Sequence, residues 1–250
     1  MGAEKIKIKK SKLKILVTGG SGTLGTEIQK LISCAAPRAS ELDVTDAVSC
    51  SRAIKKYNPD IIIHAAAWTD VAGAETKKEK CWTVNVTGTQ NIAQAAKGRR
   101  LVFISTDYVF DGERGNYRED DIPNPRNFYA LTKLAGELII RQYPDTLIIR
   151  TAFKPEGAWL YPKAFVDQWG SHDFVSEIAP QLVRAALMKD LCGIIHIAGK
   201  RMSMYDLARR VSPHVGKMSR ADIATPLPRD VSLNISKWQT ISSKSNRARK

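Results

Sequence analysis

A tyrosine and a lysine four residues apart are the first side chains in this sequence that could do chemistry together. Tyr129 and Lys133 belong to the run Tyr-Ala-Leu-Thr-Lys, and a helix would present both on one face. The pKa of a free tyrosine is about 10, and an adjacent ammonium group lowers it toward neutral pH. Such pairs also occur on exposed helices. Here, however, Thr106 ends an apolar run earlier in the chain, and a strand-end hydroxyl followed by this pair favours acid–base catalysis.

A glycine-rich turn near the start of the chain predicts a dinucleotide site. The glycines at positions 19, 22 and 25 follow an apolar run and open a helix-length segment. They permit a tight reversal, leave room for a pyrophosphate and allow close packing of helix on strand, while the helix N-terminus attracts the phosphates. A flexible turn is the alternative reading of the glycines alone. The order of strand, turn and helix favours cofactor contacts at Gly19, Ser21, Gly22, Thr23, Leu24 and Gly25.

The segment after the first predicted helix bears on the choice between NAD and NADP. Residues 40–44 predict a short second strand that contains Asp43. An acidic residue at the end of this strand selects NAD through the ribose 2′-hydroxyl, whereas a nearby arginine favours NADP. Because Arg38 lies just before Glu41 and Asp43, we expect NADP(H) rather than NAD(H). A solvated surface charge is the alternative for Arg38.

Apolar runs and helix-length segments alternate along the chain, which predicts an α/β fold. The predicted strands are residues 14–18, 40–44, 60–64, 101–105, 146–150 and 193–198. The predicted helices are residues 23–34, 46–57, 75–97, 127–143, 175–188 and 204–211. We expect a Rossmann-type doubly wound parallel sheet over residues 13–150. A small, abbreviated C-terminal substrate-binding lobe over residues 151–236 would follow it.

The net charge of +14 over 250 residues raises the question of an anionic partner. Residues 1–12 contain five lysines and one acid, and residues 237–250 contain five cations and no acid. These two basic tails are predicted to be poorly ordered, so we expect a small anionic ligand and no specific nucleic acid. No apolar run approaches the roughly 20 residues of a membrane helix, so no membrane partner is expected. The four scattered cysteines predict neither a metal site nor disulfides, which favours the cytoplasm.

Several longer motifs resemble the dTDP-4-dehydrorhamnose reductase family of the extended short-chain dehydrogenase/reductase superfamily. The glycine spacing matches the superfamily pattern T-G-x-x-G-x-x-G, and Thr106, Tyr129 and Lys133 match its catalytic triad. The resemblance covers residues 14–151. The motifs that narrow it to the family are residues 64–71, 84–86, 105–112, 117–121, 123–125 and 128–137.

The resemblance implies an NADPH-dependent reduction of the C4 ketone of a nucleotide-linked 4-keto-6-deoxy sugar. Tyr129 would donate the proton, Lys133 would tune Tyr129 and hold the nicotinamide ribose, and Thr106 would hydrogen-bond the carbonyl. The cofactor would also be contacted by Asp43, Val44, Ala65, Ala66, Ala67 and Asn85. The substrate would be contacted by Asp107, Tyr108, Phe153 and Arg229. Family members often pair, which leaves a homodimer open.

The sequence also departs from the family and from its relatives. Tyr108 replaces the glutamate of sugar-nucleotide dehydratases, and no cysteine follows the strand as in epimerase-reductases, which leaves plain reduction. Phe153 replaces the usual tryptophan, His172 and Asp173 replace Pro-Thr, and the lobe is short, so the sugar and the nucleotide stay open. The alternative function is a non-catalytic NADP-binding regulatory subunit, like that of methionine adenosyltransferase. We expect His172 to be exposed in a loop, with a contact to a phosphate or a sugar as the alternative, and we expect His64 and His196 to lie in the core.

Overall fold

The computed structural model describes residues 13–157, 159–223 and 227–247. Its strands are β1 (Ile15–Thr18), β2 (Ile61–His64), β3 (Arg100–Thr106), β4 (Thr146–Thr151), β5 (Phe153–Lys154), β6 (Lys163–Phe165), β7 (Trp169–Gly170), β8 (Asp173–Phe174), β9 (Gly193–His196), β10 (Met202–Ser203) and β11 (Gly216–Met218). Its α-helices are α1 (Thr23–Leu31), α2 (Ala47–Tyr57), α3 (Val71–Thr76), α4 (Lys78–Trp82), α5 (Gly88–Ala95), α6 (Phe128–Ile140), α7 (Val175–Ala186), α8 (Met204–Arg209) and α9 (Ser236–Arg247). A π-helical turn spans Thr83–Thr87, and short 3₁₀ helices span Asp107–Val109 and Arg220–Asp222.

The main sheet has five strands in the order β1-β2-β3-β4-β9. β1 pairs parallel with β2, and β2 pairs parallel with β3. Every residue of β1 through β4 is buried, which explains why these strands are continuous apolar runs rather than alternating ones. The predicted α/β class with a central parallel sheet is confirmed.

The second strand predicted at residues 40–44 is wrong. The chain instead joins β1 through a single parallel bridge, in which Val17 N donates to Ala35 O at 2.8 Å and Ala35 N donates to Ile15 O at 2.9 Å. Pro37 lacks an N–H group and cannot continue the ladder. The chain then turns at Arg38, whose carbonyl oxygen accepts from residues 41 and 42.

The single helix predicted at residues 75–97 is also wrong, because the structure breaks it into α3, α4, the π turn and α5. Asp70 begins α3 by accepting a hydrogen bond from Gly73 N at 2.9 Å. Lys77 leaves the helical conformation between α3 and α4. The π turn contains Asn85 and changes the phase of the residues that follow, so one uniform period does not describe this stretch.

The basic C-terminal segment forms a helix, contrary to the poorly ordered tail that its composition predicted. Trp238, only 2% exposed, anchors α9, and Asn234 Oδ1 accepts from Ser236 N at 3.0 Å where the helix begins. The N-terminal tail, residues 1–12, lies outside the described residues.

The chain forms two compact units. The first contains the described residues up to Ser105 together with Asn127–Ile148 and Ala179–Gly193. The second contains Thr106–Arg126, Ile149–Ile178 and the described residues from Ile194 onward. Each unit is assembled from separate stretches of chain, and the contiguous domain limits at residues 150 and 236 stay a prediction. Across the part of the chain that the structure describes, no helix combines the length and apolar character needed to span a membrane.

Candidate active site

The glycine turn of the first unit is built so that backbone segments can touch. Gly19 has a φ of +73°, and a Cβ atom there would lie 2.8 Å from Ala66 N. A Cβ on Gly25 would lie 2.3 Å from Gly19 O, and one on Gly20 would lie 2.6 Å from Ala36 O. Gly22 differs, since its nearest neighbour would be Gly19 O at 3.3 Å. The turn is therefore packed against protein at three glycines and leaves space beside Gly22.

The helix that follows the turn has a free N-terminus. Gly22 begins α1 without a side-chain cap, and the first turn contains no acidic residue. Ser21 and Thr23 are exposed beside it, whereas Leu24 and Gly25 are buried. Unpaired N–H groups and the positive end of the helix dipole suit an anion such as a pyrophosphate. The space beside Gly22 and this helix end fit a dinucleotide.

A buried hydrogen-bond relay through His64 holds the strand ends below the turn. Thr18 Oγ1 lies 2.7 Å from His64 Nδ1 and accepts from Ala66 N at 3.1 Å. His64 Nε2 lies 3.1 Å from Thr89 Oγ1, which in turn donates to Asn85 O at 2.6 Å. The relay ties the ends of β1 and β2 to α5 and the π turn.

The relay determines the tautomer of His64. The Thr89 hydroxyl proton is used on Asn85 O, so His64 Nε2 must carry a proton and donate it to Thr89 Oγ1. A neutral imidazole then accepts at Nδ1 from Thr18. Burial, reinforced by the charge of Lys133, lowers the pKa of His64 to about 3 and keeps the ring neutral. His64 is 1% exposed, which confirms its predicted place in the core.

Asn85 supports the catalytic helix from within the first unit. Its Oδ1 accepts from Trp68 N at 2.7 Å, and its Nδ2 donates to Thr132 Oγ1 at 2.9 Å. Thr132 Oγ1 donates in turn to Tyr129 O at 2.7 Å. Asn85 is 1% exposed, so its amide positions α6 and the chain after β2. The first three residues of that stretch after β2, Ala65, Ala66 and Ala67, are half-buried.

The Tyr129 and Lys133 pair lies on α6, which starts at Asn127 with a cap to Ala130 N at 2.8 Å. Tyr129 is half-buried and Lys133 is 3% exposed. The Lys133 ammonium lies 4.2 Å from the centre of the Phe103 ring. Burial lowers the pKa of Lys133 to about 8, although Glu137 acts in the opposite direction. The predicted helix and its shared face are thus present.

The predicted adenine and ribose contacts lie in the loop that precedes α2. Val44 is buried against Gly88, and its carbonyl oxygen accepts from Asn91 Nδ2 at 3.0 Å. Asp43 is exposed, and its Oδ1 accepts from Thr45 N at 2.9 Å. Arg38 is exposed three residues after the bridge at position 35. Sequence reasoning placed these residues around a strand end, and the structure places them in a loop.

Thr106 ends β3 in the second unit and leads into a buried carboxyl group. Thr106 Oγ1 donates to Asp107 Oδ1 at 3.1 Å and accepts from Tyr108 N at 3.2 Å. Asp107 is 2% exposed, and burial raises its pKa to about 7. Burial also raises the pKa of Tyr108. A carboxyl group that titrates near neutral pH at a strand end marks a candidate functional site.

Sequence reasoning missed Lys154 and misplaced His172. His172 is buried rather than exposed, and a Cβ on Gly170 would lie 2.5 Å from its Nδ1. Burial and the charge of Lys154 lower the pKa of His172 to about 3. Phe153 and Lys154 form β5, which pairs parallel with β8. No sequence pattern predicts this cluster, because it depends on the pairing of two-residue strands.

Arg229 and His196 are two further residues of the second unit that the sequence singled out. Arg229 is exposed, and its carbonyl oxygen accepts from Trp169 N at 2.8 Å. His196 is fully buried beside the Phe110 ring, which confirms its predicted place in the core. The described residues contain no cluster of three or more His, Cys, Asp or Glu side chains placed to hold a metal ion.

Comparison with known proteins agrees with the motifs. Residues 13–166 match the family model described as the RmlD substrate binding domain. The dTDP-4-dehydrorhamnose reductase of Mycobacterium tuberculosis is 31% identical over 86% of this chain and 82% of its own length. The chain belongs to the dTDP-4-dehydrorhamnose reductase family. The predicted family resemblance is therefore confirmed, and with it the class of NAD(P)-dependent oxidoreductases.

A solved structure and a second group of relatives complete the comparison. The crystal structure of the Bacillus anthracis dTDP-4-dehydrorhamnose reductase, in complex with NADP, superposes with a TM-score of 0.84 at 25% identity. That match covers 92% of this chain and 93% of the other. Methionine adenosyltransferase 2 subunit beta of Xenopus tropicalis is 37% identical over 50% of this chain and 41% of its own length. The proteins similar to this chain thus include some named as reductases and some named as subunits.

Proposed function

We propose that this chain reduces the C4 ketone of a nucleotide-linked 4-keto-6-deoxy sugar, with NADPH as the reductant. The observation that carries the proposal is the Tyr129 and Lys133 pair on α6, with the lysine ammonium buried over the Phe103 ring. A buried cation one helical turn from a phenol favours the phenolate that remains after proton donation. The names of the reductase relatives support the sugar-nucleotide substrate.

The roles of the residues follow from their environments. Bound NADPH supplies a hydride for the carbonyl carbon. Tyr129 donates a proton to the carbonyl oxygen, and Lys133 stabilises the resulting phenolate and holds the nicotinamide ribose. Thr106 Oγ1 donates a hydrogen bond to the carbonyl oxygen. To do so, its hydroxyl proton must turn away from Asp107 Oδ1, to which it is donated in this structure. Asp107, Tyr108, Phe153 and Arg229 contact the sugar nucleotide.

The preference for NADPH is supported by the loop after the bridge at Ala35. The residues next to the bridge are Ala36, Pro37 and Arg38, so no carboxylate stands where NAD selection needs one. Arg38 is exposed there and can reach a 2′-phosphate, while Asp43 and Val44 contact the adenine. The glycine turn and Ala65 to Ala67 contact the rest of the dinucleotide.

The reaction is tested by following NADPH absorbance with dTDP-, UDP- and GDP-4-keto-6-deoxy sugars. We expect turnover with at least one of them and a loss of about 100-fold or more in Tyr129→Phe, the usual effect of removing a positioned acid. Tyr143→Phe, near the end of the same helix, is the matched control and should retain activity. Binding of NADPH without turnover on any sugar would instead favour a non-catalytic regulatory subunit, the function suggested by the methionine adenosyltransferase relatives.

The cofactor preference is tested with Arg38→Ser and the exposed control Arg52→Ser. We expect the first variant to lose about tenfold or more in affinity for NADPH while its affinity for NADH stays unchanged, as for the loss of one charged hydrogen bond. Equal losses for both cofactors would contradict a 2′-phosphate contact. The four free cysteines support a reducing location, the cytoplasm, and a homodimer stays a prediction of the resemblance.

A further inference from the structure

Besides the two ring nitrogens of His196, three buried polar atoms of the second unit have no hydrogen-bond partner among the described residues. They are Asp107 Oδ2, Thr151 Oγ1 and His172 Nδ1. Their side chains belong to residues that are 2%, 4% and 8% exposed, respectively. An unsatisfied buried polar group costs folding free energy, and its retention calls for an explanation such as a bound ligand.

The strand ends bring these residues to one edge of the sheet. β3 and β4 are neighbours in the sheet, and Leu101 N donates to Asp145 O at 3.3 Å where both strands start. Their far ends, Thr106 and Thr151, therefore lie at the same edge, and Asp107 follows directly. Ligands of α/β sheets bind at the carboxyl ends of strands.

A lysine completes the cluster. Lys154 follows β4 by three residues and is half-buried in β5, which pairs with β8 next to His172. Its charge acts on both neighbours, because it opposes the rise in the pKa of Asp107 and contributes to the fall in the pKa of His172. Asp107 in turn opposes the fall in the pKa of Lys154 that burial causes. The ammonium group of Lys154 thus lies within electrostatic range of two of the side chains that contain unpartnered atoms, Asp107 and His172.

We propose that Lys154, with His172 beside it, is a specificity residue that binds oxygen atoms of the sugar ring together with Asp107. A sugar hydroxyl donates to Asp107 Oδ2, and a sugar oxygen on the same side accepts from Lys154 Nζ. His172 packs on Gly170 and lies beside Lys154 in the proposed site. The ligand is a hydroxylated sugar ring rather than a deoxygenated one, and this assignment rests on the reduction proposed above.

The test compares substrates that differ by one ring hydroxyl. The probes are dTDP-4-keto-6-deoxyglucose and its 2-deoxy and 3-deoxy analogues, assayed with wild type, Lys154→Met and the exposed same-unit control Lys200→Met. We expect wild type to prefer the parent sugar over one analogue by about 100-fold in kcat/KM, the size of one lost hydrogen bond to a charged group. Lys154→Met should lose most of that preference, Lys154→Gln should be intermediate because it keeps a donor, and Lys200→Met should match wild type.

Two outcomes would overturn the assignment. One is that Lys154→Met loses kcat/KM by the same factor on the parent sugar and on both analogues. The other is that Lys154→Met discriminates between the parent sugar and the analogues as strongly as wild type does. If wild type reduces none of the sugars, the proposed reaction is wrong. The affinities of wild type and Lys154→Met for the parent sugar nucleotide and its two analogues are then compared by calorimetry in the presence of NADPH. A binding preference for the parent that Lys154→Met abolishes would still support the site, whereas identical affinities of wild type and variant would refute it.

Discussion

Replacing Arg100 with methionine is expected to open the carboxyl end of α7 in the first unit. Arg100 is 4% exposed at the start of β3. Its guanidinium donates hydrogen bonds of 2.7–3.1 Å to four carbonyl oxygens, those of Ala186, Met188, Lys189 and Leu191. A fifth hydrogen bond, of 2.9 Å, reaches Asp145 Oδ1. One side chain therefore supplies a donor to the last carbonyl group of α7 and to three carbonyl groups of the segment that follows the helix.

The magnitude depends on which acceptors water can reach after the substitution. Ala186 is fully buried, so its carbonyl oxygen would be left without a donor, whereas Met188, Lys189 and Leu191 are partly or fully exposed and can be hydrated. Stranding a buried acceptor costs roughly 1–3 kcal/mol, and a hydrogen bond to a charged group contributes roughly 1.5–3 kcal/mol. Asp145 is 54% exposed and can be hydrated, so it adds little, and the two contributions together give an expected loss of about 3–5 kcal/mol in the free energy of unfolding.

Thermal and denaturant unfolding measure this loss. For a chain of this length about 3–5 kcal/mol corresponds to a fall in Tm of roughly 6–20 °C. Arg99→Met is the matched control, because its guanidinium makes two hydrogen bonds, to Pro59 O and Asn58 Oδ1, both at 2.9 Å, and is less buried. Arg99→Met should lower the free energy of unfolding by about 1 kcal/mol. Equal losses in the two variants, or no loss in Arg100→Met, would refute the account of the helix end.

Three further predictions concern titratable groups. Because burial lowers the pKa of Lys133 to about 8, the reductase rate constant should fall as pH rises through that value, and a flat profile from pH 7 to 9 would contradict the role of its charge. His64→Leu removes the relay that holds Ala66 N and should weaken NADPH binding about tenfold in a fluorescence titration, for about 1.4 kcal/mol. The pKa values of His64, His172 and His196 are lowered to about 3 by burial, so the unfolded chain binds more protons and stability falls below pH 6.5. Each histidine contributes about 1.4 kcal/mol per pH unit, and His196→Phe should reduce the slope between pH 6 and 4 by that amount in urea unfolding.

The raised pKa of Asp107 opposes this acid destabilisation. Burial raises that pKa to about 7. Between about pH 4 and pH 7 the folded chain therefore keeps a proton on Asp107 that the unfolded chain has already released. One carboxyl group therefore offsets about one histidine, and the net slope near pH 5 is about 3 kcal/mol per pH unit. The slope is measured by urea unfolding at several pH values, and stability independent of pH between 6 and 4 would show that the histidines are not held neutral.

Local patterns predicted the features that depend on neighbouring residues. The helices predicted to begin at residues 46 and 127 do begin there, because Asp46 caps α2 and Asn127 caps α6 through short-range hydrogen bonds from side chain to backbone. The prediction of a second strand at residues 40–44 was wrong because Pro37 ends the pairing that begins at Ala35. The β-branched residues 44 and 45 favour a strand by propensity, and this local signal misled the prediction. The prediction of one long helix failed because the non-helical backbone at Lys77 and a π turn interrupt a segment of good helix formers.

The amino-acid sequence by itself determined the class of fold, the glycine turn and the Tyr129 and Lys133 pair, since each depends on spacing within a few residues. Tertiary structure alone decided which side chains are buried and what they meet. The His64 relay joins Thr18 to Thr89, and Arg100 reaches the end of α7 across more than 80 residues of sequence. Lys154 approaches Asp107 and His172 only when three separate segments pack together, and burial there shifts their protonation equilibria.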